Sequence, residues 1–382
     1  MRKEQNEGLE FKSSGNELSL GVEIELQVLD ATSLSLTPRA QSILDECQWE
    51  KLDHEFFQST LEIKTGICSD IKSVENDLKE TLDRVWPTVR KLNLTLGSSG
   101  THPVADYREL LITSSPRYNQ LVETNHWIIR RMAVYGMHVH IGMPSGDTCL
   151  QYGYFFMHML PHIFALSASS PFWQGKDTGL VACRPTTYES LPTAGLPYFA
   201  KDWKGFQSLY AFLLKSKSIE SMKDLWWDVR PSPGYGTLEL RFCDQPATMY
   251  ETAAIVTFIH LLAHWFREHG ADWSMSHPPL KQWIFRENKW RTMRDGLDAE
   301  VIVTRTGTTK SLRKDTLDWI KKLEPFASAL GYQSYLSTTK ELAMRGNSSQ
   351  RQHKIFQKTN DLQAVVEHNV REFQNGHPDW LT

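Results

Sequence analysis

Four stretches of the chain alternate apolar and polar residues with a period of two: Leu18–Leu29, Ser59–Thr65, Met137–Met143 and Gly236–Asp244. Side chains alternate across a strand, so each stretch predicts a β-strand with one oily and one polar face. In the first, Leu18, Leu20, Val22, Ile24, Leu26 and Val28 oppose a face that carries Glu23 and Glu25. In the second, Leu61 and Ile63 oppose Thr60, Glu62 and Lys64. The third sets Met137, Val139, Ile141 and Met143 against His138 and His140, and the fourth sets Leu238, Leu240 and Phe242 against Glu239 and Arg241. One such strand is ordinary. Four together predict a single sheet with a charged inner face.

Between these strands the pattern changes to the helical period. Ile71, Val74, Leu78, Leu82, Val85 and Val89 form a stripe that predicts a helix over 71–93, kinked or restarted at Pro87. Leu94–Gly97 predicts a short strand entering a Gly97-Ser-Ser-Gly100 turn. Helices are also expected over 117–135, 152–169, 202–217, 249–269, 281–297, 312–330 and 361–373. The long irregular stretch Pro171–Pro197 reads as a functional loop. Residues 1–17 are expected to form a polar tail, and residues 18–382 a single domain.

Composition narrows the class without naming it. Hydrophobic residues at 40% and charged residues at 23% are those of a globular protein, and 382 residues can build one large core. A net charge of -3 with no basic stripe argues against nucleic acid as partner. Five scattered cysteines without a CxxC suit reduced thiols, and no apolar run is long enough for a membrane span. The expectation is a soluble cytoplasmic protein. Its Trp-rich helices are compatible with a homodimer, although core or interface packing is the plainer reading of those tryptophans.

The charged face defines the chemistry. Crowded carboxylates repel unless a proton or a cation neutralises them. Carboxylates with a histidine favour magnesium or manganese over zinc, which asks for more His or Cys. Arg241 cannot coordinate a metal, but its planar fork of donors fits phosphate or carboxylate. Arg230, held by the stiff DVRPSPGYG approach (Asp228–Gly236), and Arg184, in the irregular loop, are further candidate clamps. The His158/His162 and His260/His264 pairs lack the Glu of a metalloprotease motif and are read as core histidines.

Six blocks, in order and spacing, resemble the glutamate–cysteine ligase type 2 family, whose YbdK-type bacterial members are carboxylate–amine ligases. They are GVEIELQV (Gly21–Val28), HEFFQSTLEIKTGIC (His54–Cys68), GTHP (Gly100–Pro103), YGMHVHIG (Tyr135–Gly142), ALSASSPFWQGKDTG (Ala165–Gly179) and DVRPSPGYGTLELRFCD (Asp228–Asp244). The resemblance implies an α+β, glutamine-synthetase-like fold: a curved, mostly antiparallel sheet with helices packed on its outer face. It implies metal ligation by Glu23, Glu25, Glu55, Glu62, His138 and Glu239, and catalytic roles for Arg241 and Glu239. Lys64, Thr101, His102, Arg184 and Arg230 are expected to bind substrate or nucleotide. Gln58 stands where some relatives carry an acid, which weakens the case for a third metal.

The implied reaction uses ATP with magnesium or manganese to join a small-molecule carboxylate to an amine, both amino acids, through an acyl phosphate. Glutamate and cysteine giving γ-glutamylcysteine is the namesake reaction, expected here in a weak form. Two other readings stay open from the residues alone. One is a metal-dependent amide or isopeptide hydrolase, and the other an idle nucleotide-binding regulator.

Overall fold

In the computed structural model, which describes residues 9–15, 18–198, 200–277 and 280–381, the four alternating stretches lie in one seven-stranded sheet. Its strands are β1 (Leu20–Asp30), β2 (Leu52–His54), β3 (Thr60–Lys64), β4 (Leu94–Gly97), β5 (Gly136–Gly142), β6 (Val229–Ser232) and β7 (Thr237–Asp244). The order is β6-β7-β5-β1-β3-β2, with β4 also pairing to β1. Every pair in it is antiparallel. β1 is long enough to serve two neighbours on one edge: its first half pairs with β5 and its last four residues with β4.

The oily face is closed by helices in two layers. Val22, Ile24, Leu26, Leu61, Ile63, Val139, Leu238 and Phe242 are all completely buried. Each such side chain contributes about 1.5–3 kcal/mol over leaving it in water. Helix α1 (Ile71–Lys91) covers β1, β3 and β4, and helix α2 (Gly146–Ser167) covers β6 and β7. Asp70 caps α1 by accepting from the Ser73 amide at 2.7 Å. The helix runs on through Pro87 without a restart. Helix α3 (Met249–Ser276) crosses behind both and meets the helices Leu312–Leu330 and Gln333–Arg345. This is the expected α+β arrangement, with the charged face left open.

Several boundaries differ from expectation. α2 begins at Gly146, where Ser145 accepts from the Thr148 amide at 3.2 Å, and α3 runs to Ser276. The helix expected over 117–135 ends at Ile129, after a break at His126. The irregular stretch contains a short helix, Arg184–Tyr188, and its Ala194–Gly195 pairs in parallel with Trp226–Trp227. Trp283 and Trp290 are exposed rather than in the core. Of the polar N-terminal stretch, residues 9–15 pack against the turn after β6; residues 1–8, 16 and 17 lie outside the described residues. No helix among the described residues is long and apolar enough to cross a membrane.

Candidate active site

Strand register turns four local patterns into rows of functional side chains. Glu25 stands opposite Glu62, which stands opposite Asp53. Glu23 stands between Lys64 on β3 and His138 on β5. Glu239 stands between His140 on β5 and Arg230 on β6. Between Leu240 and Cys243 the register of β7 against β5 shifts, a bulge that takes in Arg241 at the end of the row. The rows line a cavity of about 790 Å³.

Two groups of three ligand atoms form on this face, each lying within 4.8 Å of one another: Glu23, His140 and Glu239, and Glu25, Glu55 and Glu62. His138 lies between them, with Nδ1 3.1 Å from Glu23 and Nε2 4.0 Å from Glu25. His140, not singled out as a ligand from the sequence, uses Nδ1 on the Thr237 hydroxyl at 3.0 Å. Its buried Nε2 has no hydrogen-bond partner and stands 3.5 Å from Glu23 and 3.9 Å from Glu239. The signal was present: the alternation that puts His138 on this face puts His140 there too.

The electrostatics separate the two groups. Burial and then the neighbouring Glu55 push the Glu25 carboxyl up to about 7. Burial, Glu55, Glu23 and Glu25 push Glu62 well above the carboxylate range. Burial also acts to raise Glu239, but Arg230 and Arg241 overcome it and hold the carboxyl low. Glu23 is held low in the same way, by its hydrogen bond with His138 and by the neighbouring His140 imidazole. Burial and then Arg241 bring His138 down to about 4. For His140, Glu239 and Glu23 outweigh burial and raise it. The crowded carboxyls of Glu25, Glu55 and Glu62, and an orphaned imidazole nitrogen beside two carboxylates, are what a hard divalent cation would satisfy. The donor set fits magnesium or manganese.

The arginines sit where an anion would meet these groups. Arg230 bonds Glu239 through Nε at 3.0 Å and Nη2 at 2.7 Å, while Arg241 bonds the other carboxylate oxygen. Arg184 is buried in the cavity wall, its guanidinium donating to the carbonyls of Phe242 and Arg241, both at 3.4 Å, with Nε unpartnered. It fits only because Gly136 has no Cβ; a methyl there would collide with the guanidinium. Lys64 lines the cavity between Asp53 at 2.7 Å and Glu62 at 3.6 Å.

Two expected pocket residues are placed elsewhere. Thr101 is buried with its hydroxyl on the Phe172 carbonyl at 2.7 Å. His102 is buried with Nε2 3.0 Å from the Leu34 carbonyl and Nδ1 accepting from the Ala105 amide at 3.1 Å. Neither lines the cavity; their polar atoms are used in holding the turn after β4. Gln58 likewise spends its amide on the Ile112 carbonyl at 3.0 Å.

Behind the arginines lies a buried network that sequence inspection did not find. Lys289 bonds both carboxylate oxygens of Asp228 at 2.6 Å and the Tyr188 hydroxyl at 3.0 Å, and also pairs with Glu189. The Tyr188 ring lies 5.0 Å from the Arg184 guanidinium, and the Asp228 carbonyl accepts the Arg241 amide at 2.8 Å. One cluster therefore braces two arginines of the site.

A sheet whose open face groups acids and imidazole into two sets that could hold a cation, flanked by arginine forks, has the donors for chemistry on anions. The sequence profile of glutamate–cysteine ligase family 2 matches residues 19–368, and the chain belongs to that family of ligases. A provisionally named glutamate–cysteine ligase 2 of Bdellovibrio bacteriovorus is 42% identical over 91% of this chain and 93% of its own length. A protein of the same provisional name from Gloeobacter violaceus is 39% identical over 91% and 95%. Among solved structures, the glutamate–cysteine ligase of Francisella tularensis in complex with AMP superposes with a TM-score of 0.67 at 11% identity, covering 96% of this chain and 90% of that one. A bifunctional glutathione synthetase from Pasteurella multocida gives 0.65 at 15% identity, covering 94% of this chain and 52% of that one. The chain shares their glutamine-synthetase-like fold.

Proposed function

We propose that the protein is an ATP-dependent carboxylate–amine ligase that activates its acid as an acyl phosphate. The observation that carries this reading is the pairing of Arg230 and Arg241 on the two oxygens of Glu239, inside a wall that also groups Glu23 with His140. A carboxylate is a poor electrophile, and phosphorylation turns one of its oxygens into a leaving group. Charge then develops on the oxygens of the transferring phosphoryl group, where fixed cationic donors stabilise it.

Glu23, His140 and Glu239 would hold one magnesium or manganese ion, Glu25, Glu55 and Glu62 another, with His138 between them. Such ions supply charge neutralisation at phosphate oxygens. Arg241 orients the phosphoryl group through its fork, Glu239 holds that fork and the one of Arg230 in place, and Arg184 offers a buried cation to a carboxylate or phosphate. Lys64 keeps part of the acid cluster neutralised. No nucleophilic side chain is needed, since the amine attacks the acyl phosphate directly. The family name points to glutamate as acid and cysteine as amine, and the AMP held by the Francisella neighbour supports an adenine nucleotide as the energy source.

The test follows the carboxylate oxygens. With the acid substrate labelled with oxygen-18 in its carboxylate, one label should appear in the released inorganic phosphate, and ADP should accumulate. Label in AMP, with pyrophosphate released, would replace phosphorylation by adenylation. Turnover with no ATP requirement would make the protein a hydrolase.

A further inference from the structure

Residues 9–15, which precede the segment matched by the family profile, form a strap along one end of the cavity. The Lys12 amide donates to the Pro233 carbonyl at 3.0 Å and the Ser14 amide to that of Met143 at 3.3 Å. The Leu9 carbonyl accepts from Trp203 Nε1 at 3.2 Å and Gln207 Nε2 at 2.9 Å. The Phe11 ring meets Trp203 edge-on at 5.3 Å. Gly236 makes this approach possible: at φ 68° it carries no Cβ, and one built there would collide with the Lys12 carbonyl. The strap brings Leu9 into the apolar cluster of Met222 and Trp203, and Leu9 lines the cavity.

We propose that this strap is a wall for the base of the nucleotide, with Leu9 in contact with the ring. The inference rests on the ATP reading above and adds where the base lies. A triphosphate brings several negative charges, so it belongs at the group flanked by Arg230 and Arg241. The other group offers three carboxylates instead. Arg230 also bonds the Leu225 carbonyl at 3.0 Å and the Met222 carbonyl at 3.5 Å, so the phosphate end of the cavity abuts the Met222–Leu9 wall. Tyr235, 75% exposed on the turn gripped by the strap, also lines the cavity and has its ring 6.1 Å from that of His140. A flat, weakly polar ring needs such a site: an apolar wall and an aromatic side chain, in the same cavity as the cations that would take its phosphates.

Calorimetric titration with magnesium–ATP and with magnesium–tripolyphosphate, in the absence of acid and amine, separates base from phosphates. The full chain should bind ATP more tightly than tripolyphosphate. Deleting residues 1–15 should weaken ATP about tenfold or more, and Leu9→Ala by about threefold to tenfold, with tripolyphosphate changed less than about twofold in each. Lys12→Pro, which removes the amide bond to Pro233 without touching the cavity, should move ATP in the same direction. Equal losses for both ligands would assign the strap to the fold or the phosphates and overturn the proposal. Unchanged ATP affinity in the variants, or a full chain that binds the two ligands equally, would also overturn it. A full chain that binds neither ligand would remove the ATP reading itself, a result distinct from all of these.

Discussion

Glu25 and Glu62 are direct cross-strand partners on β1 and β3, with both side chains on the cavity face and Glu55 grouped with them. Burial and the crowding of like charges make Glu25 and Glu62 hold on to protons, with Glu25 pushed up to about 7. A divalent cation must displace those protons. Magnesium binding is therefore expected to release protons at neutral and mildly acidic pH. Its apparent affinity should fall as pH drops through about 7. Calorimetry in two buffers of different ionisation enthalpy measures the proton count; a buffer-independent heat would contradict the assignment.

Substituting one acid of this cluster should separate activity from stability. Glu62→Gln relieves repulsion in the metal-free protein, so its thermal midpoint should equal or exceed that of the parent. Turnover should fall by at least about 100-fold, since a lost ligand costs no less than a disturbed supporting group. Melting curves and ADP release report the two effects independently.

Arg241→Lys keeps a charge and loses the planar fork that reaches Glu239. The expected loss is about 100-fold to 1000-fold in kcat, with a smaller change in ATP affinity, because the fork acts on charge that develops during transfer. A collapse of ATP binding with kcat preserved at saturation would move Arg241 to ground-state binding.

The Lys289–Asp228–Tyr188 cluster predicts a stability effect that arises outside the two metal groups. Lys289 and Asp228 are both almost fully buried. Lys289→Met would strand the Asp228 carboxylate and destabilise the fold by about 3–5 kcal/mol, read from denaturant midpoints. Tyr188→Phe keeps the ring under Arg184 and removes two hydrogen bonds, one donated to Asp228 and one accepted from Lys289, for a loss of about 1–3 kcal/mol. Tyr188→Leu should in addition lower activity, through a less well fixed Arg184.

The period-two alternation of β1, β3, β5 and β7 is local, so the oily core face and the polar set Glu23, Glu25, Glu62, His138, Glu239 and Arg241 were readable along the chain. So was the stripe of α1, because a helix face repeats within a few residues. Pairings were not. That His140 joins Glu239, leaving His138 between the two acid groups, depends on the register of β5 against β7 and β1. Thr101 and His102 looked like pocket residues in a glycine-rich turn; the carbonyls of Phe172 and Leu34, brought beside them by the fold, decide that they serve the turn. Lys289 reads as one more lysine on a charged helix until Asp228 and Tyr188, distant in sequence, bury it. The polar composition of residues 9–15 hid their anchors, which are Pro233, Met143, Trp203 and Gln207. Sequence alone determined which faces the strands present, because side-chain alternation is a property of neighbouring residues. Which side chains meet on those faces was decided only by the tertiary structure, because strand register and burial join residues that are far apart in the chain.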